Sequence, residues 1–299
     1  MVFLVPNGQV IGSISYTVAS LTTLDYGSLN WSRSFHYRAN SVAGQAAGAA
    51  VTNTSVYAEP LCVTSCTVNP GSSTIGGSAL PGHPHSATGY FSTPISGVRW
   101  AAQSGFKFWF ANSLWVHGVS NPLTTTPGAH RCDMALGGYH PGCVYDSVRP
   151  VLDVPATRFP DYANHIRLAL SYGLPNILTR TQSEALRDAN RAAACPTGPG
   201  YPRPGTPGQY QCDEYPFAST DQGASMQPYG RQFFWIDWNT GRGFNCNVPW
   251  LQSRQPGDSG GFSACMIPAG QNSLGGTDLG DFYYKSRVLD GDQFQVRVI

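Results

Sequence analysis

Two adjacent carboxylates, Asp213 and Glu214, stand in the stretch Gln211–Pro216, after a cysteine and before an aromatic residue and a proline. Only 12% of the 299 residues are charged, which makes a carboxylate pair conspicuous in this chain. Two carboxylates can hold a hard divalent cation or accept a proton from a reacting group. Taken alone, the pair is much more typical of a solvated turn, because Asp and Pro favour turns. The surrounding residues must therefore show whether the pair belongs to a catalytic or metal-binding site or to a solvent-exposed turn.

The charges around this pair are unevenly distributed, although the net charge is only +1. Residues 211–299 carry nine acidic and six basic side chains, whereas residues 151–210 carry six basic and four acidic ones. The basic residues of the second segment are all arginines: Arg158, Arg167, Arg180, Arg187, Arg191 and Arg203. A cation site beside an arginine-bearing surface suits a metal-dependent enzyme that acts on phosphates. Ordinary scatter of surface charge is the alternative.

Two short helices are predicted ahead of the carboxylates. His165, Leu168, Ala169 and Tyr172 recur at helical spacing after Asp161, and Gly173 ends the pattern. A second helix is predicted from Thr181 to about Ala194, with Thr181 and Glu184 as a capping box. His165 could act in catalysis or could be a satisfied core histidine, since its face also carries apolar residues.

The remainder of the chain is rich in strands and turns. From Val10 to about Leu123, short β-prone runs alternate with turns rich in Gly, Ser, Asn and Pro, which is typical of an antiparallel sandwich or barrel. Beyond Pro216 we expect strands and Gly-rich loops. Asp290-Gly291, between two β-prone runs, predicts a closing hairpin.

The eight cysteines fall into neighbouring couples, which predict local staples rather than a zinc site. The couples are Cys62/Cys66, Cys132/Cys143, Cys195/Cys212 and Cys246/Cys265. Disulfides of this number favour an oxidising, extracellular setting. No stretch reaches the roughly 20 apolar residues that a membrane helix needs. We also expect the chain to be a fragment of a longer precursor, because Met1–Val5 does not form a signal peptide.

A set of motifs in residues 151–299 resembles the NucA/NucB deoxyribonucleases, and most closely their longer actinobacterial members. The matching pieces follow one another in the order Val154–Pro160, His165-Ile166, Asn190–Ala192, Cys212–Ala218, Ile267–Asn272 with Gly275-Gly276, and Phe282–Asp292. Each piece alone is weak, whereas the ordered set over half of the chain is specific. The resemblance implies metal-dependent endonucleolytic cleavage of DNA with little sequence specificity.

The resemblance also implies roles for single residues. Asp213 would activate the attacking water, with His165 as a further catalytic residue, and Asn272 would contact the metal, Mg²⁺ or Mn²⁺. Glu214 is expected to act in catalysis or to contact the metal. Consecutive side chains of an extended segment point to opposite faces, however, so both carboxylates are not expected to reach one ion.

Further residues are expected to bind the DNA backbone. Arg158, Arg191 and Arg287 would hold phosphates by forked hydrogen bonds, with a surface ion pair as the alternative. Gln271 occupies a position that is usually Glu in the family, and Ser273 one that is usually Arg. An amide therefore stands where the family has a carboxylate, and a hydroxyl stands where the family has an arginine that would contact phosphate. Asn272 could otherwise be a turn residue in a Gly-rich loop.

Parts of the sequence are compatible with two other functions. Gly257–Gly261 reproduces the nucleophile loop of trypsin-like serine proteases around Ser259. A triad needs an earlier histidine, and the nearest, His130, has the wrong spacing to its cysteine. The first half alone would also allow a non-catalytic β-rich binding module.

The sequence therefore predicts an α+β protein in two parts. Residues 1–145 would form an antiparallel, sandwich-like β-rich domain with a binding role. Residues 146–299 would form a small α+β nuclease domain with a ββα-metal-like core. We expect a secreted nuclease that serves as a toxin or in nutrient scavenging, with DNA as its partner and, for a toxin, a cognate inhibitor or immunity protein.

Overall fold

The chain folds into two compact units, Met1–Ser147 and Val148–Ile299, as seen in a computed structural model. The structure describes residues 2–4, 12–44, 52–94, 98–115, 117–125, 128–237, 242–253 and 260–299. The predicted boundary was placed after residue 145. Ser259 and the predicted protease loop up to it lie outside the described residues.

The first unit consists of two antiparallel sheets. One sheet has the order β1-β2-β3-β7-β5 and the other β11-β10-β8-β4-β6, with β9 paired to β8. The strands are β1 (Val2–Leu4), β2 (Gly12–Leu24), β3 (Asn30–Gly44), β4 (Ser55–Thr64), β5 (Thr67–Val68), β6 (Ile75–Ser78), β7 (His85–Ser92), β8 (Arg99–Ala111), β9 (Leu123–Thr125), β10 (His130–Asp133) and β11 (Gly142–Val144).

Aromatic side chains from the two sheets share one core. Along β3, buried and accessible residues alternate, as expected for a strand with one face turned inward. Phe35 of β3 lies 5.1 Å from Phe106 and 5.5 Å from Phe108 of β8, measured between ring centroids. These contacts close a two-layered β structure, in line with the sandwich-like prediction.

The second unit combines three helices with short sheets. The helices are α1 (Pro160–Ser171), α2 (Glu184–Ala194) and α3 (Ala269–Lys285). The strands are β12 (Val151–Val154), β13 (Ile177–Thr179), β14 (Tyr210–Tyr215), β15 (Gly230–Gln232), β16 (Phe234–Asp237), β17 (Arg242–Asn245), β18 (Gln252–Ser253), β19 (Phe262–Pro268) and β20 (Gln293–Val298).

Strand β14 lies at one edge of a sheet with the order β14-β19-β15-β18. It pairs antiparallel with β19, and α3 begins immediately after β19. A second sheet, β12-β20-β13, and the β16–β17 pair complete the unit. The apolar faces of the helices and sheets meet in one buried cluster that includes Ile166, Tyr215, Ala264 and Phe294.

The sequence missed helix α3 and predicted a Gly-rich loop in its place. Four glycines within the helix lower its intrinsic propensity, and packing overrides that loss. A Cβ added at Gly275 would lie 2.9 Å from the ring of Tyr162 on α1. Glycine therefore permits the close approach of the two helices, and Asn272 is a helical residue rather than a turn residue.

Two further local predictions were wrong. Ser183, not Thr181, caps α2, because its hydroxyl accepts from the backbone N–H of Leu186 at 3.3 Å. The closing hairpin is also absent, because the residues before Asp290-Gly291 form no strand. Strand β20 pairs with β12 and β13 instead.

The four predicted cysteine couples are all at disulfide distance. Cys132 and Cys143 face each other across β10 and β11, so the predicted stapled loop is a strand pair. Among the described residues, no helix is both long and apolar enough to cross a membrane.

Candidate active site

Strand β14 presents Asp213 and Glu214 between two disulfide-bonded positions. Cys212 precedes Asp213 and is bonded to Cys195, the residue that caps the C-terminal end of α2. Asp213 lies opposite Cys265 of β19, which is bonded to Cys246. The carboxylates therefore stand on a strand that is fixed to a helix on one side and to a stapled strand on the other.

Asp213, His165 and Ser263 form a buried hydrogen-bonded series. Nδ1 of His165 lies 2.6 Å from Oδ2 of Asp213, and its Nε2 lies 2.9 Å from the hydroxyl of Ser263. His165 comes from α1, Asp213 from β14 and Ser263 from β19. With Asp213 ionised, Nδ1–H donates to it, which leaves Nε2 of a neutral imidazole to accept from Ser263. The predicted helix thus delivers His165 to the predicted carboxylate.

Burial raises the pKa of both carboxyl groups. Burial raises the pKa of Asp213, and the hydrogen bond from His165 opposes this shift. The pKa of Glu214 rises to about 7, first because of burial and then because of the neighbouring Asp213 charge. The backbone N–H of Ala218, 3.4 Å from Oε1 of Glu214, partly offsets that shift. Carboxyl groups whose pKa values are raised by burial at a cavity are candidates for acid–base chemistry.

Both carboxylates line one cavity of about 580 Å³. We expected their side chains to point to opposite faces of the strand. Because β14 is an edge strand, a cavity at its open edge is accessible to side chains of either face. Asn272, Arg180, Arg187 and Arg191 contribute to the same lining.

Asn272 reaches the cavity from the first turns of α3. Its Nδ2 donates to Oε1 of Gln211 at 3.1 Å and to the carbonyl of Cys212 at 3.5 Å. These bonds orient the side chain beside Asp213. Its role as a metal ligand stays a prediction.

Gln271, the neighbouring helical residue, is engaged elsewhere. Its Oε1 accepts from the backbone N–H groups of Asp161 and Tyr162 at 2.8 and 3.3 Å, and its Nε2 donates to the Asp161 carboxylate. Helix α1 has no side-chain cap of its own, so Gln271 satisfies its first N–H groups. A role in substrate binding stays a prediction for a residue that already holds two helices together.

The three predicted phosphate-binding arginines have different environments. Arg191 lines the cavity and pairs with Asp188 at 3.1 Å. Arg158 forms a surface ion pair with Asp278 at 2.7 Å. Arg287 is fully buried, so its guanidinium is not available to DNA at the surface in this conformation. The structure therefore brings only Arg191 of the three to the carboxylates.

Three contributors received no role from the sequence. The sequence places Arg180 and Arg187 only within the arginine-rich segment, although Arg187 precedes Arg191 by four residues and so shares its helical face. Both arginines line the cavity. Ser263 carries no local signal, because only the pairing of β19 with β14 brings it to Tyr215, opposite which it lies.

The donor chemistry at the cavity fits a hard divalent cation. Asp213, Glu214 and Asn272 offer oxygen atoms, and Mg²⁺ or Mn²⁺ needs only one or two protein ligands. Within the described part of the chain, the one group of three close His, Cys, Asp or Glu donors is His130, Cys132 and Cys143. Both of its sulfurs are in a disulfide, so that group does not suit a metal.

The segment that contains the carboxylates matches a known family. Residues 166–246 match the family model described as Deoxyribonuclease NucA/NucB. This segment is of the NucA/NucB type. The finding confirms the resemblance to NucA/NucB deoxyribonucleases that the ordered motifs predicted. The matched range includes Asp213, Glu214 and Arg191, and begins one residue after His165.

Other comparisons add little. No curated protein matches the sequence significantly. A solved structure described as a FixG-related protein from Vibrio parahaemolyticus shares 8% identity and has a TM-score of 0.22. It covers 37% of this chain and 94% of its own. So weak a likeness indicates neither a fold nor a function.

Proposed function

We propose that the second unit is a metal-dependent deoxyribonuclease that hydrolyses phosphodiester bonds within DNA with little sequence specificity. The observation that carries the proposal is the Asp213–His165 pair at a cavity that also holds Glu214, inside the NucA/NucB-matched segment. The order β14, β19, α3 supports a ββα-type site, because two antiparallel strands and the following helix supply Asp213 and Asn272.

The chain's own residues can prepare a water for attack. Oδ2 of Asp213 is bonded to His165, which leaves Oδ1 to accept a proton from a water next to the scissile phosphate. His165 fixes the orientation of the carboxylate and stabilises its charge in a buried setting. Ser263 in turn holds the imidazole ring.

Glu214 and Asn272 are the residues that would hold Mg²⁺ or Mn²⁺. When bound, such an ion would stabilise negative charge on the phosphoryl and departing oxygens. Arg191 would attract the DNA backbone to the cavity. Four disulfides support an extracellular place of action, as a toxin or scavenging nuclease.

Plasmid digestion tests this function. Wild type should cleave supercoiled DNA with Mg²⁺ or Mn²⁺ and should stop when EDTA is added. Asp213→Asn should lower the rate by about a thousandfold or more, because the proton acceptor is lost. Asp281→Asn is the matched control, since Asp281 is exposed on α3, pairs with Lys285 outside the cavity and undergoes the same charge change. Cleavage in EDTA, or full activity of Asp213→Asn, would refute the proposal.

A further inference from the structure

Arg187 differs from the other cavity arginines because part of its guanidinium is buried without a partner. Its Nε has no hydrogen-bond acceptor among the described residues. The side chain nevertheless lines the cavity that holds Asp213 and Glu214. A buried N–H group is normally satisfied, so the unpartnered Nε shows that protein acceptors do not fully satisfy this guanidinium. A guanidinium that lines a cavity in this state is suited to an oxyanion.

Arg180 lines the same cavity as Arg187 and is held there by contacts with two other residues. Its Nη1 donates to the carbonyl of Val288, and its guanidinium carbon lies 4.4 Å from the centroid of the Tyr283 ring. Arg180, Arg187 and Tyr283 line the same cavity, and the charges of both arginines oppose the rise that burial causes in the pKa of the Tyr283 hydroxyl. Arg180 is therefore pre-positioned in the cavity that Arg187 also lines.

Arg191 does not share this arrangement. It lies one turn further along α2, its side chain is half exposed, and its Nη1 donates to Asp188. Its charge is therefore shared with a carboxylate and with solvent. Arg180 and Arg187 offer the more desolvated positive surface, where a bond to an anion is stronger.

We propose that Arg180 and Arg187 form a second phosphate subsite, which holds a backbone phosphate next to the one being cleaved. The inference rests on the proposed nuclease function, because it assigns the neighbouring carboxylates to the scissile phosphate. The ligand is the pair of non-bridging oxygens of a phosphodiester, bound by forked N–H groups. This subsite binds DNA without a metal ion and requires substrates with at least two phosphates.

Binding in EDTA tests the subsite separately from cleavage. A fluorescein-labelled 12-nucleotide single strand is titrated with full-length wild type, Arg187→Gln and Arg167→Gln at two or more salt concentrations. Arg187→Gln should weaken binding about tenfold at low salt, and the slope of log K against log salt should fall by about 0.7. Arg167 is an exposed arginine on α1 outside the cavity, so Arg167→Gln should change binding less than twofold.

Further variants separate the possible results. Arg187→Lys keeps the charge and loses the fork, so it should bind with intermediate affinity and show whether Arg187→Gln merely misfolds. Asp213→Asn should bind the strand in EDTA at least as tightly as wild type while cleaving DNA about a thousandfold more slowly. Wild-type affinity of Arg187→Gln, or an equal loss in Arg167→Gln, would overturn the subsite and leave the nuclease intact. Absence of cleavage in wild type, with DNA binding that still depends on Arg187, would overturn the nuclease and leave an anion site.

A cleavage assay completes the test. Two p-nitrophenyl esters of thymidine 5′-phosphate are compared, one of them carrying a second phosphate on the 3′ oxygen. A second pair consists of p-nitrophenyl esters of thymidine 3′-phosphate, one of them carrying a second phosphate on the 5′ oxygen. This pair tests a subsite on the other side of the nucleoside. Wild type should prefer one two-phosphate substrate about tenfold in kcat/KM, and Arg187→Gln should lose that preference. No preference in wild type for either isomer would contradict the proposal.

Discussion

Each unit of the protein buries one histidine, and the two histidines have opposite environments. His130 in the first unit packs against aromatic rings, with Trp31 at 4.6 Å and Tyr145 at 6.0 Å between centroids. Its Nε2 has no hydrogen-bond partner in the described part of the chain. His165 in the second unit has both ring nitrogens bonded, to Asp213 and Ser263.

This difference separates a histidine that serves packing from one that is a candidate for catalysis. Burial and the charge of Arg33 lower the pKa of His130 to about 4, so its ring stays neutral and contributes apolar contacts. His165 is equally buried, but its Nδ1 is paired with the carboxylate of Asp213 at the cavity. Burial alone therefore does not mark a histidine as a catalytic candidate, whereas a carboxylate partner at a cavity does.

The largest expected effect comes from removing each histidine in turn. His165→Gln should reduce the rate of plasmid cleavage by about a hundredfold or more, because Asp213 loses its fixed orientation. His130→Gln, the matched control, should leave cleavage unchanged. The pH profile of kcat/KM should also shift in His165→Gln, which a purely structural role would not produce. Equal losses of cleavage rate in His165→Gln and His130→Gln would contradict the distinction between the two histidines.

The disulfides give a second comparison. Cys195–Cys212 closes 17 residues and holds the strand of Asp213, whereas Cys62–Cys66 in the first unit closes only 4. Loop-closure entropy predicts a loss of about 3 kcal/mol in unfolding free energy for Cys195→Ala/Cys212→Ala, and about 2 kcal/mol for Cys62→Ala/Cys66→Ala.

Hydrogen exchange of the full chain can measure these losses separately. The first pair of substitutions should speed exchange in β14 and lower plasmid cleavage, while the second should affect only strands of the first unit. If removing Cys62–Cys66 slowed cleavage as much as removing Cys195–Cys212, the Cys195–Cys212 disulfide would have no specific role in positioning Asp213.

The pH dependence of stability should have opposite signs in the two units. Glu214 has a pKa raised from 4.5 to about 7, so the folded second unit favours its protonated form. Its contribution to stability is full below about pH 4.5 and is lost as the pH rises through about 7. His130 has a pKa lowered from 6.5 to about 4, so its contribution is present above pH 6.5 and is lost as the pH falls toward 4.

These pH dependences can be checked by hydrogen exchange in EDTA between pH 4.5 and 7.5. After correction for intrinsic exchange rates, the measurement gives the slope of unfolding free energy against pH for each unit. Glu214→Gln should flatten the dependence in the second unit, and His130→Gln should flatten that in the first. Identical slopes in wild type and Glu214→Gln would show that the carboxyl group is not desolvated as described.

Local sequence patterns predicted part of this site and tertiary packing supplied the remainder. Helical spacing placed His165 correctly, and the neighbouring cysteines paired as expected, because both features depend on short separations. The motif order identified the NucA/NucB segment. Helix α3 was missed because the packing of Gly275 against Tyr162 is invisible to propensity.

The predicted phosphate ligands show the same limit. Arg287 is buried and Gln271 caps α1, since position in a motif does not reveal which partners a side chain meets in the fold. Arg187 could have been found from its spacing to Arg191 on a predicted helix. Ser263 could not, because its place beside His165 follows from strand pairing alone.

The smallest effect on cleavage is expected from Ser263→Ala. This variant also tests the comparison between His165 and His130 most directly. The substitution removes the hydroxyl that lies 2.9 Å from Nε2 of His165 and 3.4 Å from the carbonyl of Tyr215, and it keeps the bond between Nδ1 and Asp213. Loss of these neutral hydrogen bonds should slow cleavage by about threefold to tenfold, mainly in kcat. The altered ring would then resemble His130, with one nitrogen buried and unpartnered. Wild-type activity in Ser263→Ala would show that Asp213 alone positions His165, and that the second bond contributes only to packing.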